Sequence, residues 1–260
     1  MHSGVGRIAP MRMRTMSLWE SKESNGKVSL ASLFEGDADV AAISDLTIEG
    51  LAYATCRGGW PASTKLKEKA ALRVARNYVE EVINYDVHRV DGVDKNTTRV
   101  RKLLESYARN ISTMAANETI MADVRATDQT ISPNTFAIYL SALRRIFIVD
   151  DVPAWSPALR SKTKIRTSPK RHFVDPSIAV ALMGTNPQGL LKDFPTFGFL
   201  FEDLCARDLR VYAQALDGEV YHYRDKNELE CDLVVALRDG RWGAVEVKIG
   251  KNEEEDAAKH

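Results

Sequence analysis

What this sequence lacks narrows its chemistry before any motif is considered. It holds three cysteines, Cys56, Cys205 and Cys231, far apart, odd in number and without metal-finger spacing. They read as small core residues in a reducing compartment, which makes the cytoplasm the default location. No apolar run approaches the ~20 residues that a membrane span requires, and MHSGVGRIAP has no apolar signal core. Neither secretion nor a membrane partner is therefore expected. Charge of one sign is also missing: 36 Lys and Arg balance 36 Asp and Glu, so nucleic-acid affinity has to come from local clusters. Finally, no G-x-x-x-x-G-K-[ST] loop occurs. Asn25-Gly26-Lys27 lacks the preceding glycine, and Ile148-Val149-Asp150-Asp151 is only superficially like a Walker B strand. ATP binding and a small-molecule substrate are not expected of this chain.

What is present fits two or three small units in 260 residues. The stretch up to Gly36 mixes basic, turn and β-like pieces and looks like the end of something rather than the start of a domain. After the loop GGWPAS at 58–63, Leu72, Ala75, Tyr78, Val79, Val82 and Ile83 recur at helical spacing. Val100, Leu103, Leu104, Tyr107 and Ala108 mark the next helix, and 118–126 a short one. Ser132 as N-cap and Pro133 at the first position open a third, whose buried stripe is expected to be Phe136, Tyr139, Leu140, Leu143, Ile146 and Phe147.

The β-type runs FIVDDV and RHFV follow within 147–174, separated by PAWSPALRSKTKIRTSPK. Three helices and then a β-hairpin is the order of a winged helix. The exposed face of the third helix is expected to carry Asn134, Ser141, Arg144 and Arg145. Arg160, Lys162, Lys164, Arg166, Lys170 and Arg171 add a basic patch with no acidic residue among them. Such a patch can contact phosphates while the helix enters a groove, so duplex DNA is the expected partner. The alternatives are a solvated loop and a winged helix that binds only protein.

Residues 197–216 form a further helix with Phe201, Leu204, Cys205 and Leu209 in its apolar stripe, and EVYHYR at 219–224 a strand. LECDLVVALRDGRWGAVEVKI at 229–249 is then a β-hairpin. A two-residue Asp-Gly turn would mix polar and apolar residues on both faces. A three-residue loop, Arg238-Asp239-Gly240 with Gly240 left-handed, instead stacks Leu229, Cys231, Leu233 and Val235 opposite Ile249, Val247, Val245 and Gly243. That register sets Asp232 across from Glu246, and Glu230 across from Lys248 as an ion pair. Like charges directly opposite need compensation, and Mg²⁺ between Asp232 and Glu246 would supply it. Lys248 on the same face and Glu202 on the preceding helix complete the parts of metal-assisted phosphodiester hydrolysis.

A helix glutamate, a strand, and then a D-hairpin-ExK resembles the PD-(D/E)XK restriction-endonuclease-like fold. The resemblance carries over as Asp232, Glu246 and Lys248, with Glu202 as the helical acid. Taken with HSGVGRIAPMRMRTMSLWE, GGWP at 58–61, RHFVDPSIAVALMG at 171–184, GFLFEDL at 198–204 and YHYRDKNELECDLVV…AVEVKIG at 221–250, the chain is similar to an ATPase family. That family joins an AAA-type core to the C-terminal domain of unknown function 4143. The resemblance implies a core edge and lid at 1–57, a helical linker at 58–97, a winged-helix-like domain at 98–184 and a nuclease-like domain at 185–260. The expected class is α/β (α+β), with the last domain truncated and its uncovered apolar face inviting self-association. Three readings follow: a Mg²⁺-dependent deoxyribonuclease, a non-catalytic DNA- or protein-binding module, and a remnant without activity of its own.

Overall fold

In a computed structural model, the described residues are 11–36, 42–90, 92, 94–157 and 167–249. Capping residues punctuate the helices. Thr47 accepts from Gly50 N–H to open α1 (Ile48–Arg57), and α2 (Glu68–Glu81) continues through a π turn at Val82–Asp86. Asn96 caps α3 (Thr97–Arg109), which is followed by α4 (Asn117–Arg125). Ser132, with Pro133 at the first position, opens α5 (Pro133–Arg145) as the sequence predicts. Asp175 caps α6 (Pro176–Met183), which ends on left-handed Gly184, and Asp193 caps the long α7 (Phe194–Ala215).

Helices α1 to α6 share one core, in which Val79, Ile83, Leu103, Leu104, Tyr107, Leu143 and Ile178 are buried together. The segment 58–97, expected as a linker, thus packs as part of this core. Helix α7 joins the same core through Phe197 and Leu200 and then, through Ala206 and Ala213, covers a second core under the sheet. One residue of the expected α5 stripe departs from it. Phe147 adopts φ +60°, past the helix end, and is exposed, with the Arg12 guanidinium 4.6 Å from its ring centre.

After α5 the chain runs extended, and residues 148–152 pair antiparallel with a return segment at 170–174, through Val149 with Phe173 and Val152 with Lys170. The sheet proper is an antiparallel meander β1 (Gly218–Arg224), β2 (Glu230–Leu237) and β3 (Trp242–Val245), making the fold a mixture of helices and a small sheet, α+β in class. Residues 153–155 add to the free edge of β1 in the parallel sense, with Trp155 N–H donating to His222 O and His222 N–H to Pro153 O.

The β2–β3 register is the one the alternation demands. Leu233 faces Val245 and Val235 faces Gly243, Leu237 N–H donates to Arg241 O, and Gly240 turns the loop at φ +94°. The ladder stops at Val245, however. On the other side, Tyr221 faces Val234 while Tyr223 faces Cys231, so Asp232 and Leu233 together oppose the single residue His222. That is a β-bulge, which re-aims the side chains at the site where it occurs.

Candidate functional site

Three consecutive basic residue types, Lys170, Arg171 and His172, lie on the return segment, and all are buried. Extended backbone sends neighbours to opposite sides. Lys170 and His172 accordingly reach α7, while Arg171 reaches the helical core. Lys170 Nζ donates to Glu202 Oε1 at 2.8 Å and to Asp232 Oδ1 at 3.1 Å. The other oxygen of Asp232 accepts from Val247 N–H at 2.9 Å. The helical acid and the strand acid singled out in the sequence therefore do meet, and the bulge at Asp232 is what turns its carboxylate toward α7.

The meeting point is an ammonium. Burial draws the Lys170 ammonium down, but the nearby carboxylates of Glu202 and Asp232 outweigh it and hold the group above its ordinary value. Burial holds Glu202 up at about 7, against the pull of Lys170 and with Asp232 adding to it. His172 Nδ1 lies 2.7 Å from Asp203 Oδ1, both groups out of contact with water. Burial takes the imidazole down to about 3 and lifts the Asp203 carboxyl.

The other expected site residues are placed differently. Glu246 and Lys248 bond to each other at 2.7 Å, at the outer end of the sheet. Glu230 pairs with Arg224 on β1 at 2.6 Å, correcting the expected Glu230–Lys248 pair. Asp232 likewise does not pair across the ladder with Glu246, because the bulge and the end of β3 take it to Lys170. Among the described residues no group of three or more His, Cys, Asp and Glu is arranged to hold a metal ion. Asp232 accepts from Lys170 Nζ through one oxygen and from Val247 N–H through the other.

The expected phosphate-contact patch is also reduced. Arg171 is 2% exposed; it donates to Ala115 O, Tyr107 Oη, Asp151 and Asn117, so it braces α3 and α4. Lys170, 6% exposed, is withdrawn in the same way. Arg144 bonds Asp151 at 2.7 Å, while Arg145, Asn134 and Ser141 are exposed on α5. Arg160, Lys162, Lys164 and Arg166 lie outside the described residues.

Sequence reasoning also passed over a buried network at the centre of the molecule. Asp175 Oδ2 accepts from Gly59 N–H at 2.9 Å and from Arg207 Nη1 at 3.1 Å, and Arg207 also grips Asp208. Asp208 in turn accepts from Leu18 N–H. Met16 N–H donates to Gly59 O, and a β-carbon at Gly59 would sit 2.0 Å from Met16 O, so only glycine permits this approach. MSLWE, GGWP, RHFVDPS and the Arg207-Asp208 pair of α7, remote in sequence, are thus one cluster in space. The available signal was charge inside apolar runs, since Asp, Glu, Lys and Arg are fully buried only when paired.

A family described as domain of unknown function (DUF4143) matches residues 197–260, which takes in α7 and the β1–β3 meander. No curated protein and no solved structure matches the chain. A second family, described as domain of unknown function (DUF8612), matches residues 48–189, from the start of α1 to just short of α7. That match takes in more than half of the sequence, and the chain belongs to the DUF8612 family.

Proposed function

We propose that this chain is the DNA-associated C-terminal region of an AAA-type ATPase homologue, in which a nuclease-like α7–β1–β2–β3 unit serves as a non-catalytic binding module. The observation that carries the reading is Lys170 Nζ, seated between Glu202 and Asp232 at 2.8 and 3.1 Å. A lysine there supplies from within the chain the positive charge that two converging carboxylates otherwise take from a metal ion. Support for the AAA relationship comes from the DUF4143 match and from the motifs that gather around Asp175. Support for a DNA partner comes from α3, α4 and α5 followed by the antiparallel pair, the order of a winged helix, with Arg145 exposed on α5.

The competing reading is Mg²⁺-dependent phosphodiester cleavage, with Asp232 and Glu246 holding the cation and Lys248 and Glu202 assisting. What favours it is the position of the Glu246–Lys248 pair, on either side of Val247, whose N–H holds Asp232. Plasmid and branched DNA incubated with Mg²⁺ separate the two. The binding-module reading expects duplex binding that survives Asp232→Ala, no heat on Mg²⁺ titration and no cleavage. Mg²⁺-dependent cleavage that disappears in Lys248→Ala would overturn it.

A further inference from the structure

Around Asp150, toward the end of α7, a second charged cluster has no role in the site described above. Asp150 receives three guanidiniums: Arg12 Nη1 at 2.8 Å, Arg210 Nη1 at 2.9 Å and Arg14 Nη2 at 3.5 Å. The neighbouring Asp151 bonds elsewhere, its carboxylate taken by Arg144, Arg171 and the Tyr107 hydroxyl. The space beside Asp150 is lined by four guanidiniums, Arg12, Arg14, Arg210 and Arg238, against three carboxylates, Asp150, Asp217 and Glu219, an excess of one positive charge. Arg210 is further fixed by the main-chain oxygens of Asp150 and Asp151, and Arg14 by Gln214 Oε1 at 2.9 Å, so these guanidiniums are held in place rather than free to extend into water.

The cluster lines a cavity of about 530 Å³, a volume within the range of ligand sites. Its rim carries Arg238 from the β2–β3 loop, a side chain 76% exposed that bonds Asp217 at 3.1 Å. Burial lowers the Arg14 guanidinium, and the repulsion of Arg210 and Arg12 adds to this against Asp150. Burial also lowers Arg210, with the repulsion of Arg12 adding to it against the carboxylates of Asp150, Asp203 and Asp151. A guanidinium cluster that its carboxylates leave one charge short is stabilised by a further anion, and planar guanidinium donors match the oxygens of a phosphate.

We propose that the cavity bounded by Arg12, Arg14, Arg210 and Arg238 is an oxyanion site that takes a phosphate group. The anion enters from the Arg238 rim and meets Arg12, whose side chain is 30% exposed, with the more buried Arg14 and Arg210 supplying field from behind. Because the cavity is built from residues 11–14, the end of α7, the start of β1 and the β2–β3 loop, occupancy ties the N-terminal stretch to the sheet.

The test is calorimetry and thermal unfolding of the full chain in inorganic phosphate and pyrophosphate, against chloride at matched ionic strength. Phosphate and pyrophosphate are expected to bind and to raise the unfolding temperature beyond the chloride control. Arg12→Gln or the rim variant Arg238→Gln is expected to weaken binding at least tenfold, while Lys226→Gln, in the turn between β1 and β2, leaves it unchanged. A short DNA duplex distinguishes the source of the phosphate. Duplex binding that pyrophosphate competes away and Arg12→Gln weakens assigns the site to a phosphodiester backbone. Duplex binding indifferent to both, alongside pyrophosphate binding that Arg12→Gln weakens, assigns it to a free phosphate. Binding no better than chloride, or binding that survives both Arg12→Gln and Arg238→Gln, overturns the proposal.

Discussion

Lys170 Nζ stands 3.1 Å from Asp232 Oδ1, and the same ammonium holds Glu202 at 2.8 Å, so three elements distant in sequence are pinned by one side chain. Lys170→Met would leave the buried Glu202 and the half-buried Asp232 facing each other with no cation between them. Breaking a buried pair from one side typically costs about 3–5 kcal/mol. Urea denaturation at neutral pH is expected to register a loss of that order. Lys170→Met combined with Glu202→Leu should recover part of it, since the uncompensated carboxylate is then gone. A Lys170→Met variant as stable as the parent would mean that the ammonium is not a structural partner of the acids.

Glu202 gives that site a pH signature. Its folded-state pKa, raised by burial to about 7 from an ordinary 4.5, means the folded chain keeps a proton that the unfolded chain releases. The contribution to stability is complete below the unfolded value and is lost as pH rises through the folded one. Between pH 4.5 and about 7, Glu202 therefore makes stability fall, by at most about 1.4 kcal/mol per pH unit. His172, taken down to about 3 by burial, acts in the opposite sense and is lost as pH falls, so the two partly cancel in the parent chain. Glu202→Gln removes the first term alone. Unfolding temperatures measured across this window should rise more steeply with pH in Glu202→Gln than in the parent, and parallel profiles would contradict the assignment.

Legibility in the sequence follows physical type. Helix starts were readable because caps are local: Ser132 and Pro133 act within one turn of themselves. The hairpin register was readable because Leu233 and Val235 need apolar partners and Gly240 supplies the positive φ of the loop. The bulge was not, since the extra residue at Asp232–Leu233 is opposed by His222, whose backbone turns to the remote residues Pro153 and Trp155. Nor was the burial of Lys170 and Arg171 readable, because a run of basic residues looks the same whether its partners are water or Glu202, Asp232 and Asp151. The convergence of Gly59, Asp175 and Arg207 depends on long-range packing that no single stretch encodes.

Gly59 tests that convergence. A methyl group there would meet Met16 O at 2.0 Å, a contact with backbone that cannot swing aside. Gly59→Ala is expected to push residues 16–18 off the cluster and destabilise the chain by about 1–3 kcal/mol, the usual cost of overpacking. Limited proteolysis should then cut near Met16 faster than in the parent. Gly240→Ala is a control with a different mechanism, as nothing lies within 4 Å of its added carbon and the strain is confined to φ +94°. It should weaken the hairpin without exposing the region of Met16.

Arg145 and Arg171 separate surface recognition from internal bracing. If α5 meets a duplex, Arg145 is an exposed arginine that reaches it, since the likewise exposed Arg144 bonds Asp151, whereas Arg171 is spent on Tyr107, Asp151, Asn117 and Ala115. Arg145→Gln should leave the unfolding temperature unchanged and lower DNA affinity uniformly across sequences. Loss of one phosphate contact reduces the slope of log affinity against log salt by about 1. Arg171→Gln should do the reverse, lowering stability by removing a partner from the buried Tyr107 hydroxyl and from Asp151. Binding curves at several salt concentrations, read beside thermal unfolding of both variants, decide the matter. An unchanged salt slope in Arg145→Gln would remove α5 as the DNA-facing helix.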